Sequence, residues 1–257
     1  MNYYFLIFKI LKMSNKSTAS NKSTEIKPLD VLIILDASGS MECMGEEPIQ
    51  SINSFIEKQK ETSIGTETFT LINFSDTITT LIDNKNLLSM EPIEQSIYKC
   101  NGFTSLNDAI CLTIKNALES EKPNNKILVI ITDGQENSSK IYTSTDVKKD
   151  INKVEQEHDW KVIFLGANIN VLEEATNLNI NASRCCEFNQ NQYGNLLQLC
   201  RNASDSVNTY RRALSEGNQN SELVLSENVS ENISENVFTE IMTPDLPLPT
   251  RTRNLYY

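Results

Sequence analysis

Three short runs constrain this chain more than anything else in it: Val31–Leu35, Ile127–Ile131 and Val162–Leu165. Each is apolar throughout and rich in β-branched residues. A half-buried strand alternates apolar with polar side chains. Unbroken runs of this length fit strands covered on both faces, as in a parallel sheet between helix layers. Segments with helical spacing lie between and beside them: Ile49, Ile52, Phe55 and Ile56; Leu106, Ile110, Ile114 and Ala117; and Val147, Ile151 and Val154, with Ser144 or Thr145 as the expected N-cap. A short helix is expected over about 170–177. A long one carries Tyr193, Leu196, Leu197, Cys200, Ala203, Val207, Tyr210 and Leu214. Glu67–Phe74 and Thr77–Ile82 read as a hairpin, which places one antiparallel strand at a sheet edge. The alternation predicts an α/β fold over 30–215: a Rossmann-like, doubly wound, mostly parallel sheet with helices on both faces.

The flanks differ from this middle. Residues 1–29 carry five Lys against one Glu, and 14–28 are rich in Ser, Lys and Asn, so this segment is expected to be flexible. Its opening MNYYFLIFKILK is too short an apolar stretch to span a bilayer, lacks a positive region ahead of it, and makes a secretory signal an unfavoured reading. Translation from Met13 is an alternative start. Residues 216–257 contain SENVSENISENV, with Val229, Ile233 and Val237 recurring every four residues in a Glu/Ser/Asn context. This acidic, low-complexity tail is expected to be disordered, with partner docking as its alternative role. The net charge of -11 argues against a nucleic-acid backbone as partner. Six cysteines without a C-x-x-C pair read as reduced thiols, and with them the protein is expected in the cytoplasm, the host's if the chain is viral.

In a doubly wound sheet, ligands bind beyond the carboxyl ends of the strands. After Val31–Leu35 comes Asp36-Ala37-Ser38-Gly39-Ser40-Met41, and after Ile127–Ile131 comes Thr132-Asp133-Gly134. Ahead of the second helix stands Gly102-Phe103-Thr104-Ser105-Leu106-Asn107-Asp108. The alternation of Asp36, Ser38 and Ser40 lets one extended turn, eased by Gly39, aim three oxygens inward. Thr104 adds a hydroxyl and Asp133 a second carboxylate. Hard oxygen donors of this kind suit Mg²⁺, Mn²⁺ or Ca²⁺. With only two protein carboxylates, such an ion stays electrophilic and favours an anionic ligand from outside, an Asp or Glu of a partner protein. Asp108 stands at a helix start, where the dipole favours a carboxylate, and is expected to support the site from behind its ligands. Glu136 and Asn137 read as solvated polarity at the rim.

DASGSM, GFTSLNDAI and ITDG together resemble the von Willebrand factor type A (VWA) domain and its metal-ion-dependent adhesion site. The match falls on Asp36, Ser38, Ser40, Thr104 and Asp133. The stretch ITDGQENSSKIYTSTDV resembles compact intracellular members found in bacteria, phages and large DNA viruses. The resemblance implies the family's fold, a divalent metal, and non-catalytic binding of a protein through that metal. Two other readings remain open: a metal-dependent hydrolase using Asp36 or a serine, and a scaffold whose site is unused. Against the hydrolase stand a single histidine, His158, and the lack of a G-x-S-x-G elbow or a phosphate-binding loop.

Overall fold

The computed structural model describes residues 28–119, 124–218 and 221–225. A six-stranded sheet of order β3-β2-β1-β4-β5-β6 forms its centre. The strands are β1 (Leu29–Asp36), β2 (Thr68–Phe74), β3 (Ile78–Asn86), β4 (Asn125–Thr132), β5 (Lys161–Gly166) and β6 (Cys185–Glu187). All neighbours pair parallel except β2 with β3, so the hairpin strand β3 is the one antiparallel edge. Every residue of β1 and β4 is buried, as continuous apolar runs require. Their side chains divide by parity. Val31, Ile33 and Leu35 face one helix layer, whereas Leu32 and Ile34 face the other.

The first layer is α1 (Glu47–Lys60) with the long α5 (Asn195–Ser215). The second is α2 (Leu106–Glu119), α3 (Ser144–Glu157) and the short α4 (Val171–Leu178). The buried Glu47 carboxylate accepts from the Leu196 and Leu197 backbone N–H groups, so α1 caps the first turn of α5. Trp160 is fully buried just ahead of β5, and His158 is exposed where α3 ends. The hairpin has no crossover helix of its own. The sheet face over β2 beside α2 is therefore incompletely packed, leaving a cavity of about 360 Å³. Thr68 and Thr70 line it where the covered face of the same strand carries Phe69 and Leu71.

Three local expectations are corrected. The N-cap of α3 is Thr143 rather than Ser144 or Thr145, because Thr143 and Asp146 form a reciprocal capping box. The boundaries at 29 and 216 also move. Leu29 is buried as the first residue of β1. Beyond α5, Leu223 and Leu225 are 1% and 4% exposed, within the α1–α5 core. The Leu225 N–H donates to the Ser183 carbonyl at 2.9 Å, so 221–225 are a strap on the domain. The flexible segment expected before 28 and the disordered tail expected beyond 225 lie outside the described residues.

The strap makes a measurable contribution. Leu223→Ala and Leu225→Ala should each cost on the order of 2–5 kcal/mol, as for other buried leucines. Val224→Ala, on the exposed side of the same segment, should fall within about 0.5 kcal/mol of the parent. Urea denaturation of the full chain reads the difference directly.

Candidate functional site

β1 and β4 are adjacent at the centre of the sheet, and they end at the same level. Leu35 pairs with Ile131, which sets Asp36 beside Thr132. Here the strand order reverses: β1 continues to its β2 side and β4 to its β5 side. The loops leaving the two strands diverge and open a crevice at this point.

The Asp36 carboxylate is fully buried and held at both oxygens. Oδ1 accepts from the Ser38 backbone N–H at 2.7 Å. Oδ2 accepts from the Thr132 hydroxyl at 2.6 Å. The Ser38 and Ser40 hydroxyls lie 3.1 Å apart, and Ser40 donates to Asp133 Oδ1 at 2.7 Å. Asp133 is 2% exposed, and its other oxygen, Oδ2, is buried with no hydrogen-bond partner. Ser38 is buried and Ser40 exposed, so the alternation points one hydroxyl inward and leaves the other at the mouth. Thr104 is also buried, and a methyl added at Gly134 would stand 3.4 Å from its hydroxyl. Asp36, Ser38, Ser40 and Asp133 are thus linked by hydrogen bonds, and the Thr104 hydroxyl reaches the turn that follows Asp133.

The Thr104 loop is pinned at several points. The Gly39 N–H donates to the Gly102 carbonyl at 3.1 Å. The Thr104 N–H donates to Asn137 Oδ1 at 2.8 Å, and its carbonyl accepts from the Asn137 N–H at 3.0 Å. The Phe103 N–H donates to Asp76 Oδ1 at 3.3 Å. Glu136 accepts from the Asn107, Ser138 and Ser139 backbone N–H groups. Asn137 and Glu136 are therefore braces between the Thr104 and Asp133 loops, which corrects their reading as solvated rim. Asp108 likewise accepts from the backbone N–H groups of Lys140, Ile141 and Tyr142. Its carboxylate is used up as a clamp on the loop after β4. The glycine the loops depend on is Gly102 rather than Gly39. Gly102 has φ +74°, and a side chain there would collide with the Asp76 carboxylate.

This donor set fits a divalent cation. Two carboxylates and the Ser38 and Ser40 hydroxyls are linked, the Thr104 hydroxyl lies against the turn after Asp133, and a buried carboxylate oxygen has no donor. Burial of such an oxygen costs free energy unless something supplies positive charge. Among the described residues no three His, Cys, Asp or Glu side chains gather as a metal cluster, since hydroxyls make up the remainder of this set. Burial pushes the Asp36 carboxyl up to about 6 against the hydrogen bonds from Thr132 and Ser38, with the Asp133 charge adding to the rise. Burial raises Asp133 as well, opposed by its bond from Ser40.

A carboxyl raised in this way favours folding while protonated. The Asp36 contribution is present below its ordinary value of 3.8 and is lost as pH climbs through about 6. The loss is on the order of 3 kcal/mol. In chelator, stability should therefore fall between pH 4 and 7 more steeply for the parent than for Asp36→Asn, in denaturant titrations at each pH. Added divalent metal should restore the parent above pH 6, because the ion takes the place of the proton. Equal pH slopes for the two chains would remove Asp36 as the source. Gly102→Ala should leave the sheet intact but displace the Thr104 loop, weakening metal binding at least tenfold by calorimetry, about 1.4 kcal/mol.

Solved structures with a similar fold include proximal thread matrix protein 1 from the mussel byssus. It has TM-score 0.50 and 16% identity, over 68% of this chain and 46% of that one. A second structure of the byssus protein has a zinc-occupied MIDAS motif (TM-score 0.48, 16% identity, 72% and 46% covered). The manganese-loaded TRAP protein of Plasmodium vivax is also similar (TM-score 0.45, 18% identity, 68% and 74% covered). At these identities the likeness concerns the fold alone, and the chain spans less than half of the byssus protein. No curated protein matches the sequence significantly. The expectation of a cytoplasmic protein is corrected, since the similar byssus protein is a thread matrix protein. Cysteines outside disulfides do not by themselves fix a compartment. No described helix is long and apolar enough to cross a membrane. The profile of the von Willebrand factor type A domain matches residues 30–202, more than half of the sequence, and the chain belongs to that family.

Proposed function

We propose that this VWA domain binds a protein partner through a divalent cation held by Asp36, Ser38, Ser40, Thr104 and Asp133, the partner supplying an Asp or Glu carboxylate to the ion. The observation that carries the reading is the buried Asp133 Oδ2, which has no hydrogen-bond donor, beside the hydroxyls of the loop that leaves β1. The cation supplies a positive charge at the centre of an acidic surface. The chain's own residues do the rest. Thr132 and the Ser38 N–H fix the Asp36 carboxylate, Ser40 orients Asp133, and Asn137 holds the Thr104 loop in place. Mg²⁺ is the first choice for such hard donors, with Mn²⁺ and Ca²⁺ as alternatives. By the look of its segment after Asp133, we place the chain nearest the compact VWA proteins of bacteria, phages and large DNA viruses.

The domain is a binding module and not an enzyme, as its family implies. Within the site the only groups able to take a proton are the two carboxylates, and both are engaged in holding the loops together.

Residues 30–215 carry a net charge of -10, so a carboxylate approaches only when the cation locally reverses the potential. Asp36→Ala should abolish metal binding in titration calorimetry, while Thr104→Ala should weaken it and leave the fold cooperative. The parent should gain about 2.7 kcal/mol of stability at a metal concentration one hundred times its dissociation constant, and lose it in EDTA. If Asp36→Ala bound Mg²⁺ and Mn²⁺ as the parent does, the assignment of the site would be wrong.

A further inference from the structure

Among the described residues the four most exposed large hydrophobic side chains are Phe103, Ile141, Leu172 and Tyr193, at 65%, 64%, 59% and 67%. None belongs to either layer of the core. All four stand at the edge of the sheet that carries the site. Phe103 is on the loop pinned to Gly39 just past β1 and to Asp76 just past β2. Ile141 lies between β4 and α3, on the stretch clamped by Asp108. Leu172 opens α4 after β5, and Asn168 ahead of it donates to the Asp133 carbonyl at 3.4 Å. Tyr193 lies between β6 and α5, with its hydroxyl donating to Gln50 in the first turn of α1 at 2.7 Å.

These side chains are presented rather than packed. The Phe103 and Ile141 N–H groups are bonded to carboxylates, the Leu172 carbonyl accepts from the Thr176 hydroxyl, and Tyr193 is tied through its ring oxygen. Apolar surface fixed in water is unfavourable for the free chain, and it is already ordered for contact. From β2 to β6 is four strand spacings, about 19 Å. The site and the four side chains therefore fit within one standard protein interface, about 800 Å² on each partner.

We propose that the partner is a folded protein that presents its Asp or Glu from within an apolar face, and that Phe103, Ile141, Leu172 and Tyr193 receive that face around the metal. The proposal deepens the metal-held site described above and rests on it. An unstructured acidic stretch would carry its carboxylate in a polar surround and leave the four side chains wet. An apolar surround covers them and excludes water from the carboxylate–cation contact, which strengthens that contact. The charge of the domain points the same way. At -10 over 30–215, it repels every acidic group of a partner except the one that reaches the cation. A single carboxylate among apolar neighbours meets both conditions.

Three capped peptides serve as probes: Leu-Gly-Glu-Gly-Leu, Ser-Gly-Glu-Gly-Ser and Leu-Gly-Gln-Gly-Leu. In an extended peptide the first, third and fifth side chains share a face, so the leucines flank the carboxylate. Each is titrated against the full chain saturated with Mn²⁺, and binding is read from the relaxation of peptide protons brought near the ion. The Leu/Glu peptide should bind about fivefold or more tightly than the Ser/Glu peptide, from partial burial of its leucines. The Gln peptide should show no Mn²⁺-dependent binding. The preference for leucine should vanish in the full chain carrying Phe103→Ser, Ile141→Ser, Leu172→Ser and Tyr193→Ser together, and urea denaturation checks that this chain remains folded. Equal binding of the two Glu peptides to the parent, needing no variant, would overturn the proposal and leave the site intact. Persistence of the preference in the folded fourfold variant would overturn it too. Absence of Mn²⁺-dependent binding by either Glu peptide would overturn the site and the proposal together. Mn²⁺-dependent self-association of the parent in sedimentation, lost in the fourfold variant, would assign the apolar face to a second copy and overturn the separate partner.

Discussion

The hydrogen bond from the Thr132 hydroxyl to Asp36 Oδ2 is the contact on which the site depends. It joins the ends of the two central strands, and it fixes a carboxylate that burial would otherwise neutralise. With the Ser38 N–H on Oδ1, it leaves the carboxylate one orientation, set before any ion arrives. The register of β1 against β4 supplies that geometry, and the register follows from two apolar runs that pair residue for residue. Core packing and site geometry are in this sense one arrangement.

Around that contact the loops form a closed system of braces. Asn137 ties the Thr104 loop to the loop that follows Asp133. Glu136 and Asp108 spend their oxygens on backbone N–H groups of the same region, so two further acidic side chains near the site carry no spare ligand capacity. The Tyr98 hydroxyl donates to the Asp36 carbonyl, adding a fourth segment to the assembly. The ring exposed at Phe103 stands out because the backbone on either side of it is anchored, through the Gly102 carbonyl, the Phe103 N–H and the Thr104 N–H.

Much of this was legible in the sequence. Period and length distinguished doubly covered strands from helices, and the hairpin placed the antiparallel edge. The three loops that bear oxygen donors followed from where the apolar runs stop. The braces were not legible. Asn137, Glu136 and Asp108 act on backbone groups about thirty residues away in sequence, and no side-chain pattern encodes a backbone partner. Thr132 had a signal that went unused: in parallel register, the residue beside Asp36 is the one that ends β4. Leu223 and Leu225 were hidden by composition, since a short apolar pair after Asn218 reads as tail until the α1–α5 core is seen to accept it. Among Thr143, Ser144 and Thr145 only geometry selects the cap.

The site is built from positions 36 to 40, 104 and 133, separated in sequence by almost a hundred residues and joined only through the central strand pair. No contiguous fragment shorter than that span contains it. During synthesis, the oxygens of the first loop are exposed long before Asp133 is made, and they cannot be ordered until β4 has inserted beside β1. Non-local pairings of this kind form late and slowly. An ion held as proposed would therefore be a ligand of the completed topology, and its uptake would mark the moment at which the parallel sheet has closed, making metal occupancy a reporter of folding.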